Sequence, residues 1–291
     1  AEYYALSHGA KLVYSNIRTF KADLVKYKPH FLIAVPRLYE TVYDGVMTKF
    51  SKGSVVQKGL IAFFTWVAAS AVFHRRLIDN RAVIQSNKIR KAFLKRPLPI
   101  RLLSSLVSRI ALLVLTPFAK VGDKLVWSKV RDAFGGRCKC LVSGGSLLAS
   151  KLDDFFEMIG ERMIVGYGLT ETSPTVCNRV TERNVAGSCG MPCPLTTIKI
   201  VNADTGKELA RAVGQGLDGA GSVQTEDEVG VIWAKGPQVT SGYHNREDAN
   251  REAFDEEGFF CTGDLGRFDA VTKQLIITGR AKDTLVLSND E

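Results

Sequence analysis

Three short apolar runs, each closed by a proline or a glycine-rich turn, constrain this chain more than any other feature. Residues 31–35 (FLIAV) are unbroken apolar and are stopped by Pro36. Cys140-Leu141-Val142 runs into Ser143-Gly144-Gly145-Ser146, and residues 163–165 run into Gly166-Tyr167-Gly168-Leu169-Thr170-Glu171-Thr172. Helical patterns lie between them, at 37–50 and 152–159, and a further helix is read at 19–27. Short strands that stay apolar throughout and alternate with helices belong to a parallel sheet covered on both faces. The first run is therefore expected to be buried on both faces. Residues 1–8 are read as a helix and 11–14 as a short strand.

Residues 51–131 interrupt this rhythm with a long, mostly helical insertion. Lys plus Arg number 39 against 30 Asp plus Glu, a net charge of +9. Residues 74–101 alone hold nine Lys or Arg and the single Asp79, so the other 263 residues are near +1. A nucleic-acid binder would spread its charge differently and interleave aromatic residues with it. Only Phe93 lies inside 75–101, so no nucleic-acid partner is expected. Two charge-free apolar runs flank the block, fifteen residues at 59–73 and ten at 110–119. Both fall short of the ~20 residues of a spanning helix. Apolar helices beside basic residues suit peripheral contact with an anionic membrane, and that reading is favoured over two buried helices joined by a solvated basic loop.

From about Gly187 the character changes to short strands at 197–201, 230–235, 258–261 and 274–277, separated by Gly, Pro and Asp turns. That spacing predicts a small antiparallel sheet or barrel. Residues 214–228 read as a polar, glycine-rich loop expansion. The fold class expected is α/β: a mostly parallel sheet with flanking helices, followed by an antiparallel β-barrel-like unit. The expected division is 1–186, 187–280 and a hinge from 281 to 291. The chain opens AEYYALSHGA without an initiating Met and stops just after a strand-like run, so it reads as an internal fragment.

Open α/β sheets bind ligands at the carboxyl ends of their strands. The glycine pair Gly144-Gly145 lets a planar ring or phosphate approach the backbone, although a glycine pair alone more often makes only a tight turn. In the run 166–172 an aromatic ring stands between glycines, followed by a hydroxyl and a carboxylate that can meet phosphate and its Mg²⁺. Cys261-Thr262-Gly263-Asp264 offers a carboxylate of the kind that accepts ribose hydroxyls. Cys138-x-Cys140 and Cys189-x3-Cys193 lack histidine partners at zinc spacing, so reduced thiols are expected there.

The runs GYGLTETSP, YHN…FDEEGFFCTGDLG and ITGRAKDTLVLS together resemble the adenylate-forming superfamily. The stretches 28–46, 127–160 and 235–245, with the long insertion, resemble its long-chain fatty acyl-CoA synthetase and acyl–acyl-carrier-protein synthetase branch. That resemblance implies ATP-dependent activation of a long-chain fatty acid through an acyl-adenylate. The acyl group would then pass to CoA or, as the rival acceptor, to the phosphopantetheine of acyl carrier protein. It implies that Gly144, Gly145, Gly166, Tyr167 and Gly168 line an adenine pocket, with Tyr167 stacking on the ring. Thr170 would contact phosphates and Glu171 would hold Mg²⁺. Asp264 and Arg280 would bind the ribose, and Lys282 would stand at the hinge of a C-terminal domain. Val35, Pro36 and Gly145 would wall the acyl chain. Val231 stands where the family has Glu, and Asp290 where Gly is common. The family's phosphate loop TSGTTGxPKG and its C-terminal lysine are not in this sequence and would fall before and after it, so this stretch alone is expected to be inactive. A rival of another class is a non-catalytic, membrane-associated AMP- or acyl-binding protein. A plastid setting is expected if the acceptor is the carrier protein.

Overall fold

A computed structural model describes residues 2–79, 81, 98–215, 223–225 and 227–281. The amino-terminal part runs α1 (Glu2–Ser7), α2 (Phe20–Tyr27), β1 (Phe31–Ala34) and α3 (Pro36–Ser51). No strand forms at residues 11–14. Pro36 occupies the first turn of α3 after an extended Val35, where its fixed φ suits helix entry and its missing N–H costs nothing. The insertion forms α4 (Val55–Ile78) and α5 (Leu98–Gly122), and continues through a π-helical turn (Asp123–Trp127) into α6 (Ser128–Asp132). Then follow β2 (Cys140–Ser143), α7 (Ser150–Met158) and β3 (Met163–Tyr167).

Strands β1, β2 and β3 are parallel, with Ala34 opposite Ser143 and Ser143 opposite Val165. Their carboxyl ends are thus level, and the three loops after them emerge along one edge. The short strands β4 (Cys177–Asn178) and β5 (Met191–Pro192) add antiparallel to complete a five-stranded sheet in the order β1-β2-β3-β4-β5. The fully buried Tyr39 of α3 donates its hydroxyl toward the carbonyls of Leu32 (3.0 Å) and Val142 (2.9 Å), locking the helix across β1 and β2. Its ring meets Phe156 of α7 edge-on at 5.6 Å. Beneath it, Asp153 of α7 and Arg179 form a buried bidentate pair at 2.9 and 2.6 Å, and Asp153 also accepts the Gly187 N–H at 2.8 Å.

The second sheet is antiparallel throughout. It comprises β6 (Thr197–Val201), β7 (Glu208–Val213), β8 (Val223–Thr225), β9 (Gly230–Lys235), β10 (Phe260–Phe268) and β11 (Leu275–Arg280), in the order β11-β10-β9-β6-β7-β8. Helix α8 (Glu247–Ala253) lies between β9 and β10 in sequence. Ile198, Ile200, Ile232, Phe268 and Leu275 are buried in the same continuous core as the first sheet. The α/β unit followed by an antiparallel sheet is the expected fold class. Residues 216–222 and 226 of the expected loop expansion lie outside the described residues.

Two further expectations need correction. Of residues 31–35, Phe31–Ala34 form a strand that is not buried on both faces: β1 is the sheet edge, and Phe31, Ile33 and the following Val35 are 64, 57 and 51% exposed. The described residues cover only the face that carries Leu32. The Thr262-Gly263-Asp264 motif is not a loop after a strand but an irregularity inside β10, where pairing with β9 shifts between Cys261 and Leu265. Gly263 supplies the left-handed backbone there, at φ +72°, as such bulges require.

The insertion helices run longer than their charge-free stretches. Ser54 and Gln57 form a reciprocal capping box that starts α4. His74 lies 3.2 Å from Ser108, and Phe63 meets Phe118 at 6.2 Å, so α4 and α5 pack as an antiparallel hairpin. By length and composition alone, Val55–Ile78 and Leu103–Asp132 could each cross a membrane.

Candidate functional site

The site is assembled where the mouths of β1–β3 meet the second sheet. Gly145 is left-handed at φ +84°, and a Cβ there would touch Val35 Cγ1 at 3.7 Å. A Cβ on Gly144 would lie 3.6 Å from the Gly166 carbonyl. These glycines keep the strand ends close and the backbone open. Ser143, at the end of β2, is fully buried, and its hydroxyl has no hydrogen-bond partner among the described residues. Such an orphan is uncommon in a native interior.

The loop after β3 is tightly determined. A Cβ at Gly168 would fall 1.8 Å from the Pro174 carbonyl oxygen and 2.8 Å from Thr175 Cα, so only glycine fits. Thr172, fully buried, accepts the Leu169 N–H at 2.8 Å, and its hydroxyl lies 3.0 Å from the carbonyls of Leu169 and Pro174. This pin holds the single turn Thr170–Thr172 and presents Thr170 exposed and Glu171 half-buried.

Two cross-links join the loop to the second sheet. Tyr167 is buried, and its hydroxyl donates to Asp264 Oδ2 at 2.8 Å. Burial drives the phenol pKa up, with the Asp264 carboxylate adding to the rise against a Thr262 hydrogen bond that lowers it, so the phenol stays a donor. The other Asp264 oxygen accepts from Arg280 Nε at 3.1 Å, across the β10–β11 pair Asp264↔Arg280. In the second link, Tyr243 donates its hydroxyl to Glu171 Oε1 at 2.9 Å, and the Thr240 N–H donates to the Glu171 carbonyl at 2.7 Å. Burial, then the bond to Glu171, raises the Tyr243 pKa.

Of the residues named from sequence, Gly144, Gly145, Gly166, Tyr167, Gly168 and Val35 border these strand mouths, and Asp264 and Arg280 meet Tyr167 from the other sheet. Thr170 and Glu171 follow on the same loop. Lys282 lies outside the described residues. Sequence reasoning passed over Thr172, Thr240 and Tyr243. Thr172 stands three residues after Leu169 at a cap spacing, which is a readable signal. Tyr243 is 72 residues from Glu171; it lies in the YHN run, but nothing local in the sequence gives it that partner.

Among the described residues no group of three or more His, Cys, Asp or Glu could by itself hold a metal ion. Glu171 is a single, partly exposed carboxylate with one oxygen on Tyr243. That donor set fits Mg²⁺, which takes one or two carboxylates and completes its shell with water and substrate phosphates.

Comparison with known proteins identifies the family and relatives of this chain. Residues 1–244 match the model of the AMP-binding enzyme family. The Arabidopsis thaliana protein named "Probable acyl-activating enzyme 16, chloroplastic" is 34% identical over 300 residues, covering all of this chain and 38% of its own length. The "Long-chain-fatty-acid--[acyl-carrier-protein] ligase AEE15, chloroplastic" of the same plant is 32% identical over 301 residues, with the same coverage. The crystal structure of a long-chain-fatty-acid-CoA ligase from Archaeoglobus fulgidus matches 95% of this chain and 40% of its own, at 19% identity and a TM-score of 0.50, a likeness of fold. The chain thus spans about 38% of the length of these curated relatives.

Proposed function

We propose, from the premise that this chain belongs to the AMP-binding enzyme family, that its whole protein is an AMP-forming ligase that makes long-chain acyl-CoA. The observation that carries this reading is the Tyr167–Asp264–Arg280 network at the mouths of three parallel strands, with Glu171 on the same loop. In that reaction a fatty carboxylate attacks the α-phosphate of ATP and releases pyrophosphate. A thiol then attacks the acyl-adenylate carbonyl and releases AMP.

In this reading the open backbone at Gly144, Gly145, Gly166 and Gly168 admits the adenine, with Tyr167 as its aromatic wall. Asp264 accepts the ribose hydroxyls. Arg280, with a side chain 64% exposed, binds the sugar beside Asp264. Thr170 donates to phosphate, and Glu171 would hold Mg²⁺, which when bound offsets phosphate charge. Preorganised groups of this kind act where charge develops in the transfer. Val35 and Gly145 wall the acyl chain, with Pro36 next in sequence. Lys282 serves as the hinge. The corresponding division is 1–186, 187–280 and 281–291, and peripheral membrane contact through 51–131 belongs to the same reading.

A second reading keeps the chemistry and changes the acceptor to acyl carrier protein, in a plastid. What favours it is the 32% identity to a chloroplastic ligase named for that acceptor. The full-length protein should be given palmitate, ATP·Mg²⁺ and equal amounts of CoA and holo-acyl carrier protein, and the thioesters assayed by mass. Acyl-CoA as main product supports the first reading, and acyl-carrier-protein the second. No thioester, with AMP or acyl chain still bound, would leave a non-catalytic binding protein.

A further inference from the structure

We infer that Tyr243, backed by Asn250, is a positioning residue for Glu171: it fixes one oxygen of that carboxylate and leaves the other for a nucleotide-bound divalent cation. This deepens the proposed function and rests on its assignment of Glu171 to Mg²⁺.

The segment after β9 grips Glu171 at two points. The Thr240 N–H donates to the Glu171 carbonyl at 2.7 Å, and the Tyr243 hydroxyl donates to Oε1 at 2.9 Å. Backbone and side chain of one residue are thereby held by the same four-residue stretch. A Glu side chain otherwise keeps much rotamer freedom, which is lost when its far end is fixed. Mg²⁺ demands a near-ideal octahedral shell, so a carboxylate ordered beforehand avoids that cost when the ion binds.

The chemistry of the donor points to a cation. Among the described residues Glu171 forms no ion pair, and its side chain is partnered by Tyr243. Carboxylates that serve the packing of this fold are instead paired with cations, as Asp153 is with Arg179 and Asp255 with Lys199. A Lys or Arg beside Glu171 would restrain the carboxylate but cancel its charge. A neutral phenol restrains it and leaves the negative charge intact. Metal ligands are commonly oriented by outer hydrogen bonds of this kind.

Tyr243 is in turn fixed from α8. Its N–H donates to Asn250 Oδ1 at 2.7 Å, and the Asn250 amide donates back to the Tyr243 carbonyl at 3.0 Å. Gly242 makes room for this closed pair: it sits at φ +143°, and a Cβ there would come within 3.0 Å of Asn250 Oδ1. The Thr240 hydroxyl accepts the Gly242 N–H at 3.3 Å and closes the turn. With Tyr243 38% exposed, its ring adds little to the core. The fixed backbone serves to aim the hydroxyl.

The test uses the full-length protein with ATP and no fatty acid. It reads retention of Mn²⁺, standing in for Mg²⁺, from the electron paramagnetic resonance of the free ion. Tyr243→Phe should weaken Mn²⁺ retention roughly tenfold, the lower end for outer partners of metal ligands, while affinity for AMP without metal stays within about twofold. Asn250→Ala should weaken retention about threefold in the wild type, and less than about 1.5-fold once residue 243 lacks its hydroxyl, because it acts through that group. Glu171→Ala is the control and should remove most of the retention. If it does so and Tyr243→Phe does not, the inference is overturned and the assignment of Glu171 stands. If Glu171→Ala changes nothing, both are overturned. Equal losses of AMP and Mn²⁺ affinity in Tyr243→Phe also overturn the inference, since they mark a loop that has lost its shape. Should Tyr243→Phe fail to fold, Asn250→Ala alone decides, and unchanged Mn²⁺ retention there overturns it.

Discussion

Replacing Tyr167 by Phe removes one hydroxyl and keeps the ring, so it isolates the bond to Asp264. That bond is 2.8 Å long, and its two residues are only 8 and 7% exposed. A hydrogen bond to an ionised acceptor contributes about 1.5–3 kcal/mol. The Arg280 contact on the other oxygen does little to replace it, since that side chain is 64% exposed and exposed pairs contribute only about 0–1 kcal/mol. Tyr167→Phe is therefore expected to cost about 1.5–3 kcal/mol, which lowers the melting point by roughly 3–10 °C in a domain of this size. Urea unfolding of the wild type, Tyr167→Phe, Asp264→Ala and the double variant gives the coupling directly. We expect at least about 1.5 kcal/mol between the two sites. ATP affinity should fall more in Asp264→Ala than in Tyr167→Phe, because the ring remains available to the base. Additivity within about 0.5 kcal/mol would refute the claim that Tyr167 holds Asp264.

Three other substitutions probe separate parts of the argument. Gly168→Ala places a methyl where the Pro174 carbonyl stands, so nucleotide affinity measured by calorimetry should collapse, and normal affinity would show that the loop can move. Asp153→Ala leaves Arg179 charged and buried without its bidentate partner, an uncompensated burial that costs about 3–5 kcal/mol; a urea midpoint near wild type would contradict it. On the second sheet, burial raises the Asp255 pKa, but the Lys199 ammonium at 2.5 Å outweighs it and leaves the carboxyl below its usual 3.8. With the folded value depressed, the unfolded chain binds more protons in that window. The contribution is thus complete above about pH 4 and is lost as pH falls through the folded value. Lys199→Met should flatten the fall of the melting point below pH 4, and an unchanged slope would remove the pair from the account.

What was legible in the sequence was local. Apolar runs closed by glycine located β2 and β3, because the glycines that end those strands are needed by close backbone approaches within a few residues. Ser54-x-x-Gln57 stands at capping-box spacing and sets the start of α4, a local signal that counting charge-free residues overlooks. What could not be read depends on distant partners. FLIAV looks buried on both faces, yet nothing in those five letters says that β1 takes the sheet edge. Thr-Gly-Asp reads as a turn until β9 and β11 are seen to pair on either side of it. Tyr243 draws its meaning from Glu171, which approaches only when the second sheet folds against the first.

That last contact also constrains inheritance. Glu171 and Tyr243 lie 72 residues apart, and Tyr167 and Asp264 lie 97 apart, while each pair shares one proton-bearing contact. A genetic crossover anywhere between Thr172 and Thr240 would hand one member of each pair to a different lineage. Recombination among relatives should therefore be disfavoured between Tyr167 and Asp264. Within the intervening stretch the two sheets are expected to travel as one heritable block.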